Sequence, residues 1–394
     1  MKAGLYSYAV CIKSVMRAAG IISVVFLCLA GSCGCRKKDP VKIGFVACLS
    51  GKLTDRGYSG RNAVLLAVEQ CNARGGINGR KITLLIKNDL GDPETARKVV
   101  LELIDEGVTA IVGHMTSAMS VASLSLINTY ETVMISPTSA TNELYNKDDY
   151  FFRVYPDVSI VAAALACFAA HELHLTRAAV IYDLNNRAYT ETASRVFCEE
   201  FKKQGGTIVD TLAVTSSPTV SFHEIIHNLA GKEPDCLVAY TNEMDTATIC
   251  QQIRKIGKNI QVLSSDWAAS AELIQYGGEA VEGTVLLHTI RNDSREPKFV
   301  QFRQDYFDTF GVYPGVRASH AYDAASILIR ALRENDNPAE LKQTLLSIKD
   351  FEGIQGKIQF DEYGDIIRTL YPARIKNKTF KYMDKYEHGY QPQK

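Results

Sequence analysis

Between residues 41 and 288, short apolar runs alternate with amphipathic stretches of helical period, and that alternation leaves few folds open. VKIGFVACLS reads as a strand ending in a loop, and GRNAVLLAVEQCNARGG as a helix closed by glycines. KITLLIKND is the next strand. DPETARKVVLELIDEG is a helix with Pro93 at its start and acidic residues in its first turn. VTAIVGH, SAMSVASLSLINTY and VMISP continue as strand, helix and strand. The order restarts after YFFRVYPDVS. RAAVIYD, TETASRVFCEEFKKQGG, TIVDTLAV, the helix around HEIIH, DCLVAYT, MDTATICQQIRKIG, IQVLSSD and EGTVLLHTI repeat the pattern. Strands separated by helical crossovers predict a parallel sheet with helices on both faces. Two such runs predict an α/β protein of two doubly wound parallel-sheet lobes joined by short hinge crossovers, and no low-complexity linker separates them. A chain of 394 residues is long enough to build both cores.

Lys and Arg total 44 and Asp and Glu also total 44, so no global charge points to nucleic acid. The amino terminus differs from the rest. Residues 1–38 hold no acid, and Lys2, Lys13 and Arg17 precede the apolar run IISVVFLCLA, which is too short to span a bilayer comfortably. Basic residues, a short apolar core and small residues after it read as an export signal. LAGSCGC resembles a bacterial lipoprotein signal, with Cys33 as the lipid-bearing residue and Cys35 as the alternative; an ordinary cleaved signal or a short anchor is the competing reading. MRAAGIISVVFLCLAGSC is a complete signal by itself, which makes Met16 a second candidate start. Beyond this region, Cys48, Cys71, Cys167, Cys198, Cys236 and Cys250 form no C-x-x-C pair and read mostly as buried thiols. Export would permit disulfides among them, and sequence cannot pair them.

The segment SFHEIIHNLAG carries the sharpest catalytic pattern. His223, Glu224 and His227 match the H-E-x-x-H signature of zinc peptidases, with two imidazoles one helical turn apart and a glutamate to activate water. On the same helix Phe222, Ile225, Ile226 and Leu229 form a complete apolar stripe, and packing on a sheet explains every residue. The longer peptidase pattern places glycine and histidine where this chain has Ala230 and Glu233. Glu243, a conceivable third ligand, falls on a loop past the next strand. Packing is the preferred reading, with no metal assigned.

Ligands of doubly wound sheets bind outside the carboxyl ends of the strands. The loops there, including CLSGKLTDRG, VGHMTSAMS, SPTSATNEL, YDLNNRAYTE and SSDWAAS, are rich in hydroxyls and amides and suit binding better than catalysis. Ser117 lacks the flanking glycines of a hydrolase elbow, since Met115 and Met119 stand there. Beside a helix start it is suited to hold a carboxylate, or simply to cap the helix. Neither G-x-G-x-x-G nor a P-loop is present, so no cofactor is expected.

Over most of the mature chain the sequence resembles the type I periplasmic binding proteins, in their branched-chain amino-acid transport-receptor branch. The likeness rests on VKIGFVACLSGKLTDRGYSGRNAVLLAVEQCNARGGINGRKITLLIKND, VTAIVGHMTSAMSVAS, ISPTSATNEL, FFRVYPD and DYFDTFGVYPGVRASHAYDAASILIRAL. The resemblance implies a two-lobe Venus-flytrap receptor that captures a small solute, performs no chemistry and presents the solute to an ABC permease. It implies lobe 1 over 41–157 and 289–355, lobe 2 over 158–288 and 356–394, and a signal region over 1–35. By that likeness Ser117 holds a ligand carboxylate with Ser139, Ala140 and Thr141, Tyr189 closes from lobe 2, and Asp266 pairs with an ammonium. Arg56 or Tyr58 meets the ligand side chain, and a cation there argues against a purely aliphatic ligand. The chemistry is coherent: an α-amino acid needs donors for its carboxylate and an anion for its ammonium, both desolvated on closure. Asp266 also reads as an N-cap for WAASAELI, and Trp267 as either cleft wall or packing. An extracytoplasmic sensor of the same fold is the alternative function, and the zinc peptidase a distant one. The expected location is the periplasm or cell surface of a bacterium, through a lipid anchor.

Overall fold

The computed structural model describes residues 39–51, 54–217 and 219–383; the signal region and Cys33 lie outside the described residues. Two sheets carry the fold. The first holds β1 (Val41–Ala47), β2 (Ile82–Asn88), β3 (Ala110–Gly113), β4 (Met134–Ser136) and β5 (Phe151–Arg153), all parallel, in the order β2-β1-β3-β4-β5. The second repeats that order with β6 (Arg177–Asp183), β7 (Thr207–Val214), β8 (Cys236–Tyr240), β9 (Gln261–Ser265) and β10 (Val285–His288), as β7-β6-β8-β9-β10. A short hairpin, β11 (Phe351–Glu352) and β12 (Lys357–Ile358), stands apart. The edge of the second sheet is then extended antiparallel by β13 (Tyr371–Lys376) and β14 (Thr379–Tyr382). Asn377 and Lys378, at φ 53° and 56°, form the two-residue turn between them, the handedness that a tight hairpin requires.

Helices cover both faces of each sheet, as strands apolar on both sides require. In the first lobe α1 (Thr54–Ala73) packs on one face, and α2 (Pro93–Asp105) and α3 (Ser117–Thr129) on the other. Asp92 caps α2 by accepting the Thr95 amide at 2.8 Å, with Pro93 in the first turn. In the second lobe α4 (Val158–His171) and α5 (Arg187–Lys203) face α6 (Phe222–Ala230), α7 (Glu243–Lys255) and α8 (Ala271–Gly277) across the sheet. Three later helices, α9 (Pro297–Phe310), α10 (Val316–Glu334) and α11 (Leu341–Ser347), return to the core of the first lobe beside α1.

The chain therefore crosses between lobes three times. The first crossing follows β5 and the second follows β10. The third falls between Ile366, packed in the first core, and Leu370, packed in the second. The division expected at residue 356 is thus displaced, because Ile358, Phe360 and Ile366 bury their side chains in lobe 1. Buried guanidinium groups clasp the crossings. Arg153 donates to Asp365 at 2.5 Å, to Asp157 at 3.3 Å and to the Thr141 carbonyl at 2.9 Å. Arg368 donates to Asp323 at 2.8 Å and to the Val154 carbonyl at 2.9 Å. Desolvated charges persist only with such full pairing.

Helix α6 buries Phe222, Ile226, Leu229 and Ala230, with Ile225 half-buried at the edge of the stripe. His223, Glu224 and His227 face outward, and the two imidazole rings lie 6.5 Å apart. Among the described residues no cluster of three His, Cys, Asp or Glu side chains could hold a metal ion. Among the described residues Cys71, Cys167, Cys198, Cys236 and Cys250 are free thiols, three of them buried. No described helix is long and apolar enough to cross a membrane.

Candidate functional site

Both sheets follow an order whose switch point lies between the first and third strands of each lobe in sequence, β1/β3 and β6/β8, where ligands of doubly wound folds gather. The loops leaving these strands meet around a cleft between the lobes whose empty space, open solvent included, is about 410 Å³. Lobe 1 supplies Ser117 and its neighbours from the β3 loop, Arg56 from the start of α1, and Arg317 and His320 from the start of α10. Lobe 2 supplies Asn186 and Tyr189 from the β6 loop and α5, and Asp266 and Trp267 from the loop after β9. Gly57 lets α1 reach this position. A Cβ there would stand 1.9 Å from the Cys48 carbonyl oxygen, so only glycine allows the helix to start against the end of β1.

The Ser117 hydroxyl accepts the amides of Ala140 at 3.0 Å and Thr141 at 3.3 Å, which leaves its own proton to donate into the cavity. The loop that carries it is pinned from behind. His114 bridges Asp89 through Nδ1 at 2.7 Å and Ser123 through Nε2 at 2.9 Å, and Ser136 donates to the His114 carbonyl at 2.8 Å. This Asp–His–Ser set has the connectivity of a hydrolase triad. Yet Ser123 and His114 are both 0% exposed, so no substrate carbonyl reaches the hydroxyl.

Asp266 keeps part of its surface open to the cavity while protein surrounds it on every side. Burial raises its pKa to about 6, against the lowering pull of the Arg317 and Arg56 charges. It does not cap a helix as its sequence position also suggested. Helix α8 starts five residues later, where Ser270 accepts the Leu273 amide at 3.2 Å. Arg56 and Arg317, both from lobe 1, donate to the Trp267 carbonyl of lobe 2 at 2.8 and 2.5 Å. Glu243, the first residue of α7, lies 3.6 Å from Arg56 and 3.4 Å from Arg317. These contacts join the lobes at the mouth of the cleft. Burial, and secondarily Arg317, lowers the pKa of Arg56 to about 9.

Four side-chain atoms in this wall are buried without a hydrogen-bond partner: Arg56 Nε, Tyr155 hydroxyl, Trp267 Nε1 and His320 Nδ1. The described residues hold nine such atoms, so the cleft concentrates them. Burial keeps His320 neutral, and its other nitrogen meets the Thr289 hydroxyl at 2.6 Å, on the second crossing.

Of the residues expected from sequence, Ser117, Tyr189, Asp266 and Arg56 line the cavity. Ser139, Ala140 and Thr141 stand behind it. Ser139 bonds Ser120 at 2.7 Å, and the other two amides close on Ser117. Tyr58 lies off the wall, 38% exposed beneath the Arg61 guanidinium at 4.2 Å. Trp267 is wall and packing at once, edge-on to Tyr189 with ring centroids 6.0 Å apart. Sequence reading missed Tyr155, Asn186, Arg317 and His320 as wall residues. VRASH and VYPD stood in the stretches that carried the family likeness, which was the available signal.

Residues 40–380 match the family model described as periplasmic binding protein. The Leu/Ile/Val-binding protein of Escherichia coli strain K12 is 22% identical over 359 residues, covering 90% of this chain and 94% of the relative. The branched-chain amino acid transporter substrate binding protein LivJ from Streptococcus pneumoniae, in complex with isoleucine, superposes with a TM-score of 0.81 at 24% identity, covering 88% of this chain and 100% of that one. A solute binding protein of an ABC transporter from Rhodopseudomonas palustris, in complex with 3,4-dihydroxy benzoic acid, gives 0.80 at 20% identity, covering 90% and 99%. With the repeated strand order and the cleft between two lobes, these matches make the chain a member of the periplasmic binding protein family, with the type I fold.

Proposed function

We propose that this protein is an extracytoplasmic receptor that captures an α-amino acid in the interlobe cleft and delivers it to an ABC permease, without catalysing a reaction. The observation that carries this reading is one cavity wall offering a free hydroxyl proton at Ser117 and a carboxylate at Asp266. The first suits a ligand carboxylate, together with the start of the 13-residue helix α3, and the second suits an ammonium. Both groups are desolvated by the opposite lobe, so a zwitterion replaces lost hydration with directed bonds. Capture works by population of the closed state. A ligand touching both lobes favours the arrangement in which Arg56 and Arg317 reach Trp267. The bound structures of similar proteins hold isoleucine and a hydroxylated benzoate, and both carry a carboxylate. Cys33 would tether the receptor to the membrane through lipid, and a Cys33→Ala chain released from the membrane fraction is the expected outcome.

Thermal unfolding with each amino acid in turn tests the reading. A ligand at 100 times its Kd stabilises the native state by about 2.7 kcal/mol. Stabilisation by at least one amino acid, lost in Ser117→Ala and Asp266→Ala, is expected. A full set of amino acids without effect, or an effect that survives both substitutions, would overturn the assignment.

A further inference from the structure

The cleft wall is unbalanced in one respect only. Its formal charges cancel once the residue behind it is counted: Arg56 and Arg317 are positive and Asp266 negative on the wall, and Glu243, negative, lies within 3.6 Å of both guanidinium groups. Its hydrogen-bonding groups do not cancel. Arg56 Nε and Trp267 Nε1 are donors that can never accept, and each is buried without an acceptor. The two side chains form one corner of the cavity, with the Arg56 guanidinium carbon 5.6 Å from the Trp267 ring centroid. That corner is separate in the bonding pattern from Ser117, whose hydroxyl accepts the amides of Ala140 and Thr141. An aliphatic side chain placed there leaves both donors without acceptors, at a cost of roughly tenfold in affinity for each. A carboxylate placed there supplies acceptors but adds a charge that no group in the wall is free to balance.

Resting on the amino-acid receptor reading above, we propose that the ligand's side chain carries an uncharged acceptor oxygen, specifically an amide, which takes the hydrogen bonds of Arg56 Nε and Trp267 Nε1. An amide also offers two N–H donors, and the Tyr155 hydroxyl in the same wall is an acceptor without a partner. The apolar residues of the wall, Met115 and Val316, then cover the ligand's methylene carbons.

Calorimetric titration of the purified protein with glutamine, asparagine, glutamate and leucine at neutral pH tests the proposal. One of the two amides is expected to bind at least tenfold more tightly than leucine and than glutamate. In Trp267→Phe the ring stays and one donor goes, so the ratio of amide to leucine affinity should fall about tenfold. A merely structural role for Trp267 would lower both affinities together and leave that ratio unchanged, which overturns the proposal. Leucine equal to or tighter than both amides, or glutamate tighter than both, also overturns it while leaving the receptor reading in place. Failure of all four ligands, together with silence from the remaining amino acids, removes both.

Discussion

Two polar clusters, one inside the first lobe and one between the lobes, are built from similar side chains and end in opposite states. Asp89, His114 and Ser123 close on one another at 2.7 and 2.9 Å. A few residues along the same loop, Ser117 turns toward a cavity whose other walls hold Asp266, Arg56, Tyr155 and Trp267, several with polar atoms that meet nothing. The first cluster stabilises because it is satisfied internally; it holds the β3 loop against the sheet. The second is costly in isolation, since buried polar atoms without partners lose their hydration for no return. A protein keeps such an arrangement where something else completes it. The exposed histidine pair of α6 belongs to neither class, for water already satisfies it. Motif content alone would have ranked these three groups the wrong way round.

The comparison can be broken at several points. The largest expected effect is on binding: Asp266→Ala removes the anion facing the ligand ammonium and should weaken the best amino acid by about 3 kcal/mol, roughly a hundredfold, in calorimetric titration. His114→Ala acts on stability instead. It strands Asp89 and Ser123 in a buried site and should cost about 2–3 kcal/mol in urea unfolding. Binding should also depend on pH through Asp266, whose pKa of about 6 in the free protein must fall when an ammonium docks beside it. Protonation therefore competes with the ligand. Affinity should be flat above pH 6 and should drop toward tenfold per pH unit below it, a limit of about 1.4 kcal/mol per unit. Least of all, His223→Ala with His227→Ala should change neither binding nor stability by more than about 0.5 kcal/mol.

The fold was largely legible because helical and strand periods alternate cleanly from β1 to β10, and burial on both sheet faces keeps the strands apolar. The antiparallel edge of β13 and β14 was not. β14 alternates exposed and half-buried positions, and β13, whose buried residues are Pro372, Ala373 and Ile375, follows a polar crossing, so the run carries no crossover signal. Residues 356–366 were assigned to the wrong lobe for a related reason. Isolated apolar residues such as Ile358 and Phe360 show burial but not which core receives them. For the site, loop tips at strand ends pointed to Ser117, Tyr189, Asp266 and Arg56. Arg317 and His320 come from a helix two hundred residues downstream in the pattern of an ordinary amphipathic surface, and only the crossings bring them to the cleft. Glu243 showed itself in sequence as an acid beyond a strand; its pairing with two arginines from the other lobe depends on closure.

A crystal structure of the protein with its tightest-binding amino acid tests the central claim most directly. The ligand should lie between the lobes, its carboxylate on Ser117, its ammonium on Asp266, and acceptor atoms at Arg56 Nε and Trp267 Nε1. An amino acid bound elsewhere, or one seated in the cleft with those two donors still unpartnered and Asp266 untouched, would contradict the account.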